Sequence, residues 1–294
     1  MANKCFGVGT FGSADPGLNG YRLTLASATP VPTSDLTAQG TLYLTPYKHN
    51  RIALYNGTSW EVFDTGEVSI SLTGISTTAP TDVFGIISSG ALALELLVWT
   101  NDTTRATGLT RQDGVWTKTG DATRRYLGTI YGSAANVCED STSRRYVWNA
   151  DNRVSRNLFA TDSTDSWTYT TAAWREANGG STIGTTRVAL VRGLNEDLVT
   201  ARVVGVGVNA STVGVAVGVG IDSTTVNSAQ VRGGALNNSR SSIVGFYSGF
   251  PAIGFHTISW LENSQAAGTT TWLGDNGGSA NGDMQCGIVV EVQG

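Results

Sequence analysis

Charge is scarce in this chain. Only 14% of its 294 residues are Asp, Glu, Lys or Arg, against about 25% in an ordinary globular protein. Lysine is nearly missing: Lys4, Lys48 and Lys118 are the whole set. The formal net charge is −4, and no basic stripe runs through the sequence, which argues against a nucleic-acid partner. The only local basic clusters are Arg124-Arg125 and Arg144-Arg145, followed by Tyr126 and Tyr146. One pair per strand is too little for a groove, so each reads as a solvated strand end or an interface. No apolar run approaches the roughly 18 residues needed to span a bilayer, so membrane insertion is not expected. The first residues, Met1 to Gly7, lack the continuous apolar stretch of a signal peptide. Synthesis in the cytosol and delivery to its site by assembly is the expectation.

The usual marks of catalysis are missing too. Cys5, Cys138 and Cys286 are far apart and form no CxxC pair, so a zinc cluster or redox motif is excluded. Buried free thiols are expected, with Cys5 the one placed to reach another subunit. There are two histidines, His49 and His256, no GxSxG and no Gly-Lys pair, so nucleophile elbow and P-loop are absent. Gly7 to Gly12 matches GxGxxG by letter, but neither a strand before it nor a helix after it is expected. The carboxylates Asp162 with Asp165, and Glu196 with Asp197, lie in turn-like stretches where acidic residues are common. A polysaccharide depolymerase built on such a pair is a distant alternative. No catalytic, metal or cofactor residue is assigned, and no cofactor is expected.

What remains is glycine, 37 residues of it, with abundant serine, threonine and β-branched residues. Low charge and this composition favour strands and turns over helices. Residues 1–20 are Gly-rich and read as an N-terminal arm. Residues 21–158 are a series of short alternating runs. Arg51 to Tyr55 and Trp60 to Phe63 flank Asn56-Gly57, a strong hairpin signal. Turn clusters every 8–15 residues have the spacing of a sandwich or barrel. The composition shifts over residues 160–180, which places a junction near 155–165. Residues 159–294 read as a second β domain that closes on an apolar strand, Cys286 to Val292. The fold class expected is all-β: an antiparallel sandwich or barrel module, then a jelly-roll-like sandwich.

The clearest periodicity lies in the second half. Val204, Val206 and Val208 alternate with glycine, and Val213 to Ile221 continue in the opposite phase. A two-residue turn at Ala210-Ser211 would pair Val208 with Val213, Val206 with Val215 and Val204 with Val217. All valines would then share one face, leaving Gly205, Gly207, Gly214 and Gly218 on the other. Interior strand glycines mark close approach of another surface, either of the same subunit or of a symmetry mate; the mate is favoured, and these four are candidate subunit-interface residues. Trp167, Tyr169, Trp174, Tyr247, Phe250 and Trp272 lie in polar or loop-like stretches and are the candidate ligand- or host-binding aromatics.

An ordered series of motifs carries a family resemblance. It begins with Thr41-Leu-Tyr-Leu-Thr-Pro-Tyr47 and Asn50-Arg-Ile-Ala-Leu-Tyr-Asn-Gly57, and continues with Trp99-Thr-Asn-Asp-Thr-Thr-Arg105 and Gln112-Asp-Gly114. Gly120-Asp-Ala-Thr-Arg-Arg-Tyr-Leu-Gly128, Arg145-Tyr-Val-Trp-Asn149 and Asn152-Arg-Val154 complete it. Together they resemble a module recurrent in structural proteins of tailed bacteriophages, over about residues 21–158. Ala150-Asp151 departs from the Tyr-rich sequence expected before Asn152. The resemblance implies a non-enzymatic virion role at the particle surface: a tail fibre or receptor-binding protein, or alternatively a head fibre or capsid decoration protein. The implied partners are two further copies in a homotrimer, other virion proteins of the tail, portal vertex or capsid, and a host surface glycan.

Overall fold

The structure is a computed structural model and describes residues 14–236, 239–277 and 284–294. Cys5, most of the arm and the GxGxxG letters lie outside the described residues. Among those described, the chain is all-β, its one helical piece a 3-10 turn at Ala177–Gly179.

The first half is a set of small antiparallel sheets around one core. Tyr21–Thr24, Thr41–Pro46 and Val68–Ser71 form a three-stranded sheet. A six-stranded sheet runs Ala91–Val98, Thr81–Ser88, Asp121–Ile130, Val115–Lys118, Leu109–Gln112, with Val147–Asn149 also paired to Asp121–Ile130. The Asn-Gly hairpin forms as read, with Arg51–Tyr55 against Trp60–Asp64 and Tyr55 opposite Trp60. Only Gly57 takes a positive φ, 101°. Asn56 acts differently: its side-chain oxygen accepts from the backbone N–H of Thr58 and Ser59, each at 2.8 Å, an Asx turn that fixes the loop. Tyr21, Leu23, Leu44, Leu54, Phe84, Tyr126 and Trp148 fill the core.

The second half is a jelly-roll sandwich. One sheet has the order Ser155–Thr161, Gly287–Gln293, Val199–Asn209, Ser241–Gly249, ending on Val231–Arg232. The facing sheet has the order Arg187–Arg192, Gly254–Asn263, Gly214–Ile221, Gly234–Leu236. The last strand is thus inserted between the first strand of the sandwich and Val199–Asn209, and from Arg187–Arg192 to Gly254–Asn263 consecutive strands alternate between the two sheets, in jelly-roll fashion.

This topology corrects the Val/Gly hairpin. Val199–Asn209 and Gly214–Ile221 do not pair; they lie in opposite sheets and pack face to face. The segment 210–213 crosses the sandwich instead of turning within one sheet. Gly205 faces inward, where a Cβ would stand 2.6 Å from Val217 Cγ1. At Gly207 it would stand 2.9 Å from the Trp272 ring, and at Gly218 2.3 Å from the Asn227 side chain. Gly214 lies near Leu236 and Gln265. The four glycines therefore pack against side chains of their own chain, in place of the subunit contact the hairpin reading implied.

The two halves share one sheet. Arg144–Arg145 pairs in parallel with Arg187–Arg192, so Gly132–Ala134, Val137–Asp140 and Leu36–Gln39 extend the second sandwich sheet into the first half. The basic pairs are structural here. Arg125 is 2% exposed and donates to the carbonyls of Pro16, Leu18 and Ala53, which overturns its reading as a solvated strand end.

Candidate interaction surface

The six candidate aromatics do not converge on one site. Trp167 and Trp272 are core residues. The Trp167 indole donates to the buried Glu262 carboxylate at 2.7 Å and meets Trp260 edge-on. Trp272 is fully buried, its ring over Gly207. Tyr169 is half-buried beneath the Arg175 guanidinium, 3.9 Å from its centroid, and donates its hydroxyl to the Ala173 carbonyl. Trp174 is half-buried beside Gly218. Tyr247 sits on the strand Ser241–Gly249, and burial pushes its phenol up. Phe250 alone is largely exposed, at 55%.

Phe250 lies at the end of a surface that the list of candidates missed. The strands of the Ser155–Thr161 sheet turn one face to the core and the other outward. On the outer face the pairing register aligns Phe159 with Val289, Val289 with Arg202, Arg202 with Phe246, and Phe246 with Val231. One row thus crosses five strands and is apolar apart from Arg202. Phe159 is 48% exposed, Val289 53% and Val231 67%. Val204 and Val244 form part of the next row, and Leu198 joins Phe250 at the end. The outer face of an antiparallel sheet is ordinarily polar, and an apolar patch continuous over several strands marks an interaction surface.

The face is also grooved. Three open depressions of 390, 340 and 410 Å³ follow one another along Val199–Asn209, from Leu198 and Thr200, past Arg202, to Val204 and Val206. Apart from Arg202 the central strand carries the smaller outward residues Thr200 and Val204, while Val289 and Phe246 stand on its two neighbours and Phe159 on the strand beyond. Charge is sparse but specific. Arg202 is exposed and makes no hydrogen bond or ion pair among the described residues. Glu291 lies one row away, opposite Thr200, and accepts from the Ser155 hydroxyl at 2.6 Å.

One signal for this surface was present in the sequence. Ser155–Thr161 and Gly287–Gln293 alternate strictly, with Arg156, Leu158, Ala160 and Ile288, Val290, Val292 inward. Phe159 and Val289 fall on the outward set, where a solvated strand would carry polar residues.

No known protein family matches the chain, and no curated protein does. Among solved structures, it is similar at 9% identity and a TM-score of 0.23 to the insecticidal delta-endotoxin Cry8Ea1 of Bacillus thuringiensis, with 93% of this chain and 51% of the toxin covered. A Cry1Da tryptic core variant gives 8% identity and a TM-score of 0.20, over 87% and 48%. The infectious bursal disease virus Gx strain structure gives 11% and 0.22, over 94% and 78%. The chain spans about half the length of the two endotoxins, and likenesses this slight bear on no functional question.

Proposed function

We propose that the chain is a non-enzymatic structural component of a bacteriophage virion, a homotrimeric surface appendage of the tail-fibre or receptor-binding kind. The observation that carries the reading is the grooved apolar row across the outer face of the second sandwich, and its occupant is another copy of the same chain. Four strands spaced about 4.8 Å and about seven residues long at about 3.3 Å each, with the two-residue Val231–Arg232 at the edge, give a footprint of roughly 475 Å² before side-chain relief. That is over half of the roughly 800 Å² per partner of a stable interface. Three such faces closing around an axis share an apolar core that no single copy has. A ring of this kind is a heterologous contact that closes on itself. The motif series over residues 21–158 supplies the virion side of the reading.

Light scattering on the isolated protein at micromolar concentration should give the mass of three copies. Val289→Asp places a charge within the row and should yield monomers with an unchanged far-UV spectrum. A wild-type monomer would overturn the self-association. Antibodies raised against the chain should decorate intact particles at the surface; their failure to bind would overturn the virion role, whatever the mass.

A further inference from the structure

A closed ring needs two different surfaces on each copy, one for each neighbour. The outer-face row is one such surface, and a second lies at the edge of the sandwich beside it. Leu236, Val231 and Val226 are 71%, 67% and 62% exposed, the highest values for large apolar residues among those described, and they fall in one stretch of the chain. Val231–Arg232 pairs with Ser241–Gly249 alone, and Gly234–Leu236 with Gly214–Ile221 alone, so each is the edge strand of its sheet. Val231 ends the row on the outer face of the first sheet. Leu236 stands opposite Gly214, next to the buried Ala235, on the outer face of the second. The edge is therefore a rim with apolar residues on both flanks.

Polar residues pin this rim from within. The Asn227 side-chain oxygen accepts from the backbone N–H of Val219 and Ala229, each at 3.1 Å. The Gln230 amide donates to the Ser248 carbonyl and accepts from the Ser248 N–H, each at 2.8 Å. Polar side chains thus turn inward and apolar ones outward, the reverse of a solvated edge. An open edge is ordinarily blunted by lysine, proline or inward charge. Residues 223–236 contain no lysine and no proline, and their single charge is Arg232. The opposite side of the sandwich offers no such edge. There the Phe159 N–H donates to the Thr142 carbonyl at 2.8 Å, the Asn157 carbonyl accepts from Arg145 at 2.9 Å, and the second sheet runs on into the first half.

We propose that this rim of one copy docks on the outer-face row of the next, with Val226, Val231 and Leu236 set against Val289 and Phe246. The direction of the contact selects the partner. A row set against the outer face of the second sheet would stack copies in an open series. A row set against the edge that borders it turns each copy relative to the last, and such a contact closes a ring. The flat row offers roughly 475 Å² against the roughly 800 Å² of a stable interface. A rim seated in the depressions along Val199–Asn209 engages their walls as well as the flat area. The inference rests on the self-association reading and names the surface that completes it.

Crosslinking with a bifunctional maleimide tests the contact in a Cys5→Ser background, where Cys138 and Cys286 are buried. Leu236→Cys places a thiol on the rim and Val289→Cys one on the row. The double variant should keep the wild-type mass in solution and give covalent trimers on a denaturing gel. With one thiol per copy a single variant can link two copies at most, and Leu236→Cys alone should link none. A double variant that is trimeric in solution but gives no covalent trimer, or covalent dimers from Leu236→Cys alone, would overturn the rim contact and leave the trimer standing. A wild-type mass of one copy would instead remove the trimer, and the rim contact with it. Leu236→Asp lies outside the row and gives a second readout. Its mass should fall to one copy at micromolar concentration with an unchanged far-UV spectrum, and a Leu236→Asp trimer as stable as wild type would also overturn the contact.

Discussion

Gly205 offers the sharpest test of the sandwich packing. It lies on the inner face of Val199–Asn209, and a Cβ there would stand 2.6 Å from Val217 Cγ1 and 3.6 Å from the Trp260 ring. Both neighbours are fully buried, and Val217 is β-branched and stiff at χ1, so neither yields without moving a sheet. Overpacking of this kind costs about 1–3 kcal/mol. Against it, replacing glycine in a strand recovers roughly 0.5–1 kcal/mol of backbone entropy. The clash wins, and Gly205→Ala should lose about 1–2 kcal/mol. An unfolding entropy of about 2.1 cal/mol/K per residue gives roughly 0.6 kcal/mol/K for 294 residues. The midpoint should therefore fall by about 2–3 °C, and further for Gly205→Val. Gly214→Ala is the control, because its Cβ meets nothing closer than 3.6 Å; it should be neutral or mildly stabilising. Since Gly205 is packed by its own chain, the mass of Gly205→Ala should match wild type. Thermal melts and light scattering read both quantities. A Gly205→Ala protein that melts no lower than wild type would refute the face-to-face packing, and one that melts normally but dissociates would restore the subunit contact.

The remaining expectation for this half concerns pH. Burial pushes the Glu262 carboxyl from 4.5 up to about 6, against the pull of the Trp167 indole and Arg175. A folded-state value above the unfolded one means that the contribution is full below about pH 4.5 and lost as pH rises through about 6, worth about 2 kcal/mol by pH 7.5. The melting midpoint should fall between pH 5 and pH 7.5, and Glu262→Gln should flatten that slope; an equal slope in both proteins would refute it. Glu67 has the opposite sign: burial pushes it up, but hydrogen bonds from Ser27, Thr45 and the Ala28 N–H outweigh this and hold it low. Its contribution is lost only as pH falls below the unfolded value.

Legibility in the sequence follows the range of the interaction. The Arg51–Tyr55 hairpin could be read because its turn chemistry is local to Asn56 and Gly57. The all-β class could be read because alternation is a property of each strand alone. Alternation fixes which residues share a face, but not which strand lies alongside. Val204 to Val208 and Val213 to Ile221 alternate as a hairpin would, yet a jelly roll sends sequential strands to opposite sheets. The aromatics failed for a related reason. Trp167 and Trp272 sit among polar residues in sequence, and their burial is set by Glu262 and Gly207, which arrive from distant strands. Phe159 and Val289 carried a readable signal, but the row they build with Phe246 and Val231 exists only once the last strand is inserted in the sheet.

The shared sheet makes a further demand on how the chain unfolds. Arg187–Arg192 serves two cores at once: Val188 and Leu190 belong to the second-half cluster, while Ala189 and Val191 belong to the first. Polar contacts tie the same seam. Arg22 donates to the carbonyls of Pro30 and Gly294 at 3.0 and 2.9 Å, and Arg156 bridges the Pro32 carbonyl and the buried Asp140. Opening either half alone would strip one face of a central strand and leave these buried groups unpaired, at about 1–3 kcal/mol each. The halves should therefore melt together, in one calorimetric transition whose van't Hoff and calorimetric enthalpies agree. Val188→Ala and Val191→Ala remove methyls from opposite faces of the strand, each at a cost of about 2 kcal/mol. Both should move the same single peak down, by about 3 °C. Two resolved transitions, with each variant shifting only the one for its own core, would show that the seam does not couple them.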